Sequence, residues 1–249
     1  ADYENAINEN TALLLKVHTS NYKVVGFTAE VELEQMVAIG RKHNLPVMED
    51  LGSGALIDLS QYGLPKEPIV GERIQAGADV VTFSGDKILG GPQAGLVVGK
   101  KDLIGKMNKN HLQRALRCGK LTLAALEATL RRYQQSPNIV NEIPTLRAFT
   151  RSVDEVRAMG EQLLPKLQAA LGKDFQLALQ DSTSQIGSGA MPTEELPTVV
   201  ITIENVKLSA NPIAKRFRQA SPPIIGRIND DQFLLDLRTI FDANDLIPN

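Results

Sequence analysis

Lys87, Asp50, Ser84, His18 and Asn21 are the residues of this 249-residue chain whose types and spacing could do chemistry together. Lys87 lies in Ser84-Gly85-Asp86-Lys87-Ile88-Leu89-Gly90-Gly91-Pro92-Gln93-Ala94-Gly95, directly after the apolar run Val80 to Phe83, which reads as a buried strand. Burial favours the neutral form of an amine, and a neutral amine attacks a carbonyl carbon to form a Schiff base. On this stretch alone, a surface lysine following a strand is an equal reading.

The elements needed to position these residues follow from periodicity. Residues 3–9 are expected as a helix, and Leu13 to Val17 as a strand that gives way to the polar loop His18-Thr19-Ser20-Asn21-Tyr22. Thr28 is placed as the cap of a helix with apolar positions Ala29, Leu33, Met36 and Val37, ending near Asn44. Pro46 to Asp50 reads as the next strand, closed by Leu51-Gly52-Ser53-Gly54, and a helix over 68–76 leads to the strand before Lys87. Alternating strands and helices at this spacing predict a mostly parallel sheet with covering helices. Ligands of such sheets bind outside the carboxyl ends of the strands, the edge at which His18 to Asn21, Asp50 and Lys87 converge.

Further along, Leu96 to Gly99 is a strand, and Arg114, Arg117 and Lys120 stand at i, i+3, i+6 before a helix marked by Leu123, Leu126, Leu130 and Tyr133. Pro137 and Pro144 frame a boundary, which divides the chain into a large domain, 1–144, and a small α/β domain, 145–249. The small domain is expected to hold a long helix over 146–171 kinked at Pro165, strands at Phe175–Leu179, Thr198–Ile203 and Phe233–Leu237, and a helix at Ile213–Gln219.

A lysine with an acid one βαβ unit upstream fits pyridoxal phosphate chemistry. That cofactor needs an amine on its aldehyde and a carboxylate on its ring nitrogen, so that the protonated ring draws electrons from a substrate α-carbon. Lys87 would supply the amine and Asp50 the carboxylate. Asn21 could donate to the phenolic oxygen, Ser84 to the phosphate, and His18 could sit over the ring or merely bond locally.

These stretches resemble the bacterial selenocysteine synthase family, the L-seryl-tRNA(Sec) selenium transferases. The likeness rests on Ser84 to Gly95, Val17 to Tyr22, Asp50 to Gly54, Leu59-Ser60-Gln61-Tyr62-Gly63-Leu64-Pro65-Lys66-Glu67-Pro68, Arg114 to Arg117, Leu121 to Glu127, and Pro223 to Ile228. The resemblance implies a fold-type-I pyridoxal phosphate enzyme, a decameric ring of dimers, which converts seryl-tRNA(Sec) to selenocysteinyl-tRNA(Sec) through an aminoacrylyl intermediate with selenium from selenophosphate. Lys87 is then the simplest base for the α-proton. Arg114 and Arg117, with Lys120, are expected to hold the anionic selenium donor, because guanidinium pairs bidentately with phosphate-like oxygens. A solvated basic face is the plain alternative. Family members also carry a tRNA-gripping domain and the first half of the large domain upstream of Ala1. The chain opens on Ala1 and stops at Asn249 where a new helix begins, so it is expected to be a fragment that alone binds pyridoxal phosphate weakly or not at all.

Composition narrows the alternatives. Lys+Arg 27 against Asp+Glu 29 gives a net charge of −2, which excludes a global field for nucleic acid or anionic membrane. The single cysteine, Cys118, rules out an internal disulfide and suits a reducing cytoplasm. The sequence holds no signal peptide and no apolar run of membrane-spanning length. Gly90 to Gly95 lacks the lysine-serine/threonine ending of a phosphate-binding P-loop. His43 and His111 carry no metal-ligand spacing. Cys118 reads as an activated thiol or an apolar filler, Gly187-Ser188-Gly189 as a substrate loop or a turn, and Arg227 as a partner for a carboxylate or ribose. Two other classes remain: another fold-type-I enzyme acting on free sulfur amino acids, such as a cysteine desulfurase or β-lyase, and a non-catalytic remnant.

Overall fold

A computed structural model describes residues 1–19, 26–187 and 195–248. The chain divides into two units, residues 1–146 and residues 147–186 with 195–248.

The first unit is built on a four-stranded sheet in the order β1 (Leu14–Val17), β2 (Val47–Gly52), β3 (Val80–Ser84), β4 (Gly95–Gly99). The first three strands are parallel, and β4 returns antiparallel to β3. Helix α1 (Asp2–Ala6) precedes the sheet, α2 (Leu33–His43) joins β1 to β2, and α3 (Val70–Gln75) joins β2 to β3. Strand β2 alternates strictly between buried and half-buried, because its residues point to opposite faces. One face buries Leu14, Val47, Leu51 and Val81 with Leu33, Met36 and Val37 of α2 and Val70 of α3. The register Val17–Asp50–Thr82–Val97 runs across the other face, where Val17 is 56% and Val97 43% exposed.

Two departures from the expected helices trace to capping. Helix α2 begins at Leu33, where Glu32 and Gln35 cap each other reciprocally, so Thr28 and Ala29 lie outside it. The expected 146–171 helix is two helices, α8 (Pro144–Thr150) and α9 (Val153–Leu171), because Ser152 and Glu155 form a capping box between them. Pro165 sits mid-helix without ending α9. The basic residues lie after α4 (Lys101–Lys109): Arg114 on the short α5 (Leu112–Leu116) and Lys120 at the first position of α6 (Lys120–Gln135), followed by α7 (Ile139–Glu142).

The second unit is an antiparallel sheet in the order β5 (Phe175–Gln185), β6 (Glu195–Asn205), β8 (Gln232–Asp236), β7 (Arg227–Asn229). Helix α9 and α10 (Ala210–Arg218) bury Val156, Leu163, Leu167 and Phe217 against Val199, Ile201, Ile203, Phe233 and Leu235. The Phe217 and Phe233 rings are 5.0 Å apart. The strands are longer than their apolar runs, since Pro197 lies where β6 pairs with β5 alone.

Candidate active site

Parallel pairing of β1, β2 and β3 puts His18, Asp50 and the Ser84–Lys87 stretch at neighbouring carboxyl ends of the sheet. The residue after β1 is His18, whose backbone N–H donates to the Asp50 carbonyl at 2.8 Å. Asp50 pairs with Thr82 in register, so the two side chains share a face, and the Thr82 hydroxyl donates to Asp50 Oδ1 at 3.0 Å. The adjacent acid, Glu49, points the other way. It is 1% exposed and takes two hydrogen bonds from the Arg73 guanidinium, at 2.7 and 3.2 Å. Of the two acids, Asp50 is the half-buried one on the less covered face.

The lysine loop is fixed by its backbone. Gly85 N–H donates to Ala94 O at 2.8 Å, Gly91 N–H to Gly85 O at 2.8 Å, and Gly90 N–H to Lys87 O at 3.0 Å. Ile88 N–H reaches across to Ser53 O at 3.0 Å, which ties the lysine loop to the loop following Asp50. The two loops approach so closely that a Cβ on Gly54, whose φ is +73°, would stand 2.4 Å from Ser84 O. Ser53 is fully buried, and among the described residues its hydroxyl has no hydrogen-bond partner.

Three neighbours of this rim were not singled out from the sequence. Thr82 orients Asp50. Tyr133 of α6 donates its hydroxyl to Leu89 O at 3.0 Å, and burial pushes its phenol well above the ordinary value. Glu67, in the loop before α3, places Oε2 3.5 Å from His18 Nε2. Only Thr82 had a local signal, the strand register; the other two meet the rim through tertiary packing.

The remaining candidates are less closely drawn in. Arg114, Arg117 and Lys120 are exposed, and among the described residues none has an ion pair. Asn21, Ser188 and Gly189 lie outside the described residues. Cys118 is a half-buried free thiol. Arg227 is engaged within the second unit, donating to Ser182 Oγ and Thr183 O at 2.9 Å each and facing Asp236 at 3.7 Å. Among the described residues no helix is long and apolar enough to cross a membrane.

The chain matches the family model of L-seryl-tRNA selenium transferase over residues 1–241. It is 50% identical over 242 residues to the L-seryl-tRNA(Sec) selenium transferase of Mannheimia succiniciproducens, an overlap of 96% of this chain and 52% of that protein. Against the enzyme of the same name from Alkaliphilus metalliredigens the identity is 51% over 239 residues, 96% of this chain and 51% of that one. The chain thus spans about half the length of these relatives. Among solved structures, D-glucosaminate-6-phosphate ammonia-lyase matches at a TM-score of 0.59 and 21% identity, over 97% of this chain and 56% of that one, a likeness of fold. By the match running from residue 1 to residue 241, the chain belongs to the L-seryl-tRNA selenium transferase family.

Proposed function

We propose that this chain carries the pyridoxal phosphate site of an enzyme that converts seryl-tRNA(Sec) to selenocysteinyl-tRNA(Sec), with selenophosphate as selenium donor. The observation that carries the proposal is the pairing of a family match over residues 1–241 with a rim on which the Asp50 loop and the Lys87 loop are hydrogen-bonded together. The donor set suits the cofactor. Lys87 would hold its aldehyde and Asp50, oriented by Thr82, its ring nitrogen, while Ser84 would serve the phosphate, with His18 and Asn21 beside the ring. The unpartnered buried hydroxyl of Ser53 marks the same loops as a polar site. When bound, the cofactor supplies an electron sink for the substrate α-carbon.

The chain's own groups then have distinct tasks. Lys87 Nζ takes the α-proton of the seryl group. Arg114 and Arg117, with Lys120 beside them, hold the anionic oxygens of selenophosphate; their exposure, and the lack of an ion pair to them among the described residues, support this assignment. In this reading residues 1–144 are the cofactor-binding domain and 145–249 the small domain. The enzyme works in the cytoplasm as a homo-oligomer, a decamer by the family resemblance, and its hold on tRNA lies mostly in the part of the relatives that this chain does not span.

Borohydride reduction in the presence of pyridoxal phosphate, followed by peptide mapping, tests the site even where binding is weak. The pyridoxyl group is expected on Lys87, with the label lost in Lys87→Ala and strongly reduced in Asp50→Asn. A label spread over surface lysines, unchanged by Asp50→Asn, would overturn the assignment. Turnover of free cysteine without tRNA would instead favour a sulfur amino acid enzyme.

A further inference from the structure

We propose that Glu67 is a positioning residue for His18, holding its imidazole by the Nε2–H so that Nδ1 is the ring's acceptor at the rim. The inference rests on the reading of that rim as the cofactor site. Glu67 stands in the loop Leu64-Pro65-Lys66-Glu67-Pro68, and the following proline restricts it to extended backbone. The start of α3 is tied to the loop after Asp50 by Val70 N–H donating to Ala55 O at 3.1 Å. The carboxylate is thereby carried to the end of β1, with only 11% of its side chain exposed and 25% of that of His18.

Among the described residues Glu67 Oε2, shut off from solvent, has no hydrogen-bond partner, and His18 Nε2 stands 3.5 Å from it. A buried carboxylate oxygen without a donor is costly, and a small turn of the ring removes that cost. Neighbouring charges are committed elsewhere. Lys66 faces Glu72 at 3.3 Å, and Lys16 donates to Val31 O at 2.8 Å with Glu30 at 3.8 Å. On β2 the Asp50 carboxylate accepts from Thr82, while its carbonyl takes the His18 backbone N–H. Among the described residues, Glu67 is thus the charged side chain that faces the ring.

The test needs no cofactor. A hydrogen-bonded ring N–H exchanges slowly with water and gives a downfield proton resonance, assignable to His18 by its loss in His18→Gln. The resonance is expected in the unsubstituted chain, retained in Glu67→Gln, whose amide oxygen still accepts, and lost in Glu67→Leu. Its absence from the unsubstituted chain, or its persistence in Glu67→Leu, overturns the proposal; the first criterion holds even if Glu67→Leu does not fold. A second readout is the rate of reductive pyridoxyl labelling at Lys87. It should fall about tenfold in Glu67→Leu and in His18→Gln, the worth of one hydrogen bond to a charged group, and no further in the double variant. Additive losses would show that Glu67 acts independently of His18. A label spread over surface lysines rather than on Lys87 in the unsubstituted chain would sink the cofactor reading and leave the resonance result standing.

Discussion

Ile88 donates its backbone N–H to the carbonyl of Ser53 at 3.0 Å, so the residue after the lysine is anchored to the third residue after the acid. That bond, with Gly54 packed under Ser84 O, makes the relative placement of the two loops a property of the backbone. Gly54→Ala therefore combines a left-handed φ of +73° with a Cβ that would meet Ser84 O at 2.4 Å. Gly63 has a similar φ, +80°, but among the described residues nothing lies within 4 Å of its Cβ position. Gly63→Ala should cost about 1 kcal/mol of unfolding free energy, from φ alone, and Gly54→Ala more than about 2 kcal/mol. Urea denaturation of both variants measures the difference, and equal costs would show that the loops are free to separate.

Thr82→Val removes the donor to Asp50 Oδ1 while preserving β-branching. A hydrogen bond to a half-buried carboxylate is worth about 1–2 kcal/mol, and that loss of stability is expected. Lys87 labelling by pyridoxal phosphate should drop alongside, because Asp50 is left to rotate. A variant as stable and as readily labelled as the parent would remove Thr82 from the site.

The order of strands along the rim was legible in the sequence because its signals are local: apolar runs of strand length, each ending in polar residues, with glycines after the second and third. The same period-2 logic separates Glu49 from Asp50, but that Glu49 is satisfied by Arg73 requires the fold. Thr28 is a better cap residue by type than Glu32, yet the reciprocal Glu32–Gln35 pair sets the start of α2. Ser152 and Glu155 carried a readable capping box inside what apolar periodicity alone treats as one helix. Tyr133 and Glu67 reach the rim from 44 and 49 residues beyond the groups they meet, and no local pattern reports such contacts.

Glu49 and Arg73 form a bidentate pair with the acid buried under α3. Removing one partner strands a charge, which costs about 3–5 kcal/mol, whereas replacing both by apolar residues of similar size is close to neutral. Arg73→Met should thus be strongly destabilising, and Glu49→Leu with Arg73→Met should recover most of the loss in chemical denaturation. An Arg73→Met variant of parental stability would place the pair in solvent.

Tyr133 links α6 to the lysine loop through Leu89 O, and its effect on stability should depend on pH in one direction. Burial raises the phenol in the folded chain above the ordinary value of 10.0, so between that value and the folded one the unfolded chain loses the proton first. Stability rises with pH only where the unfolded state binds more protons; here it binds fewer, so this contribution falls. Tyr133→Phe should cost about 1 kcal/mol below pH 9, for the lost hydrogen bond. That advantage of the tyrosine should be constant at lower pH and shrink as pH climbs past 10, measured as the difference between the two urea midpoints along a pH series. A difference that stays flat above pH 10 would mean the phenol ionises as readily in the folded chain, and that α6 does not shield the loop behind Lys87.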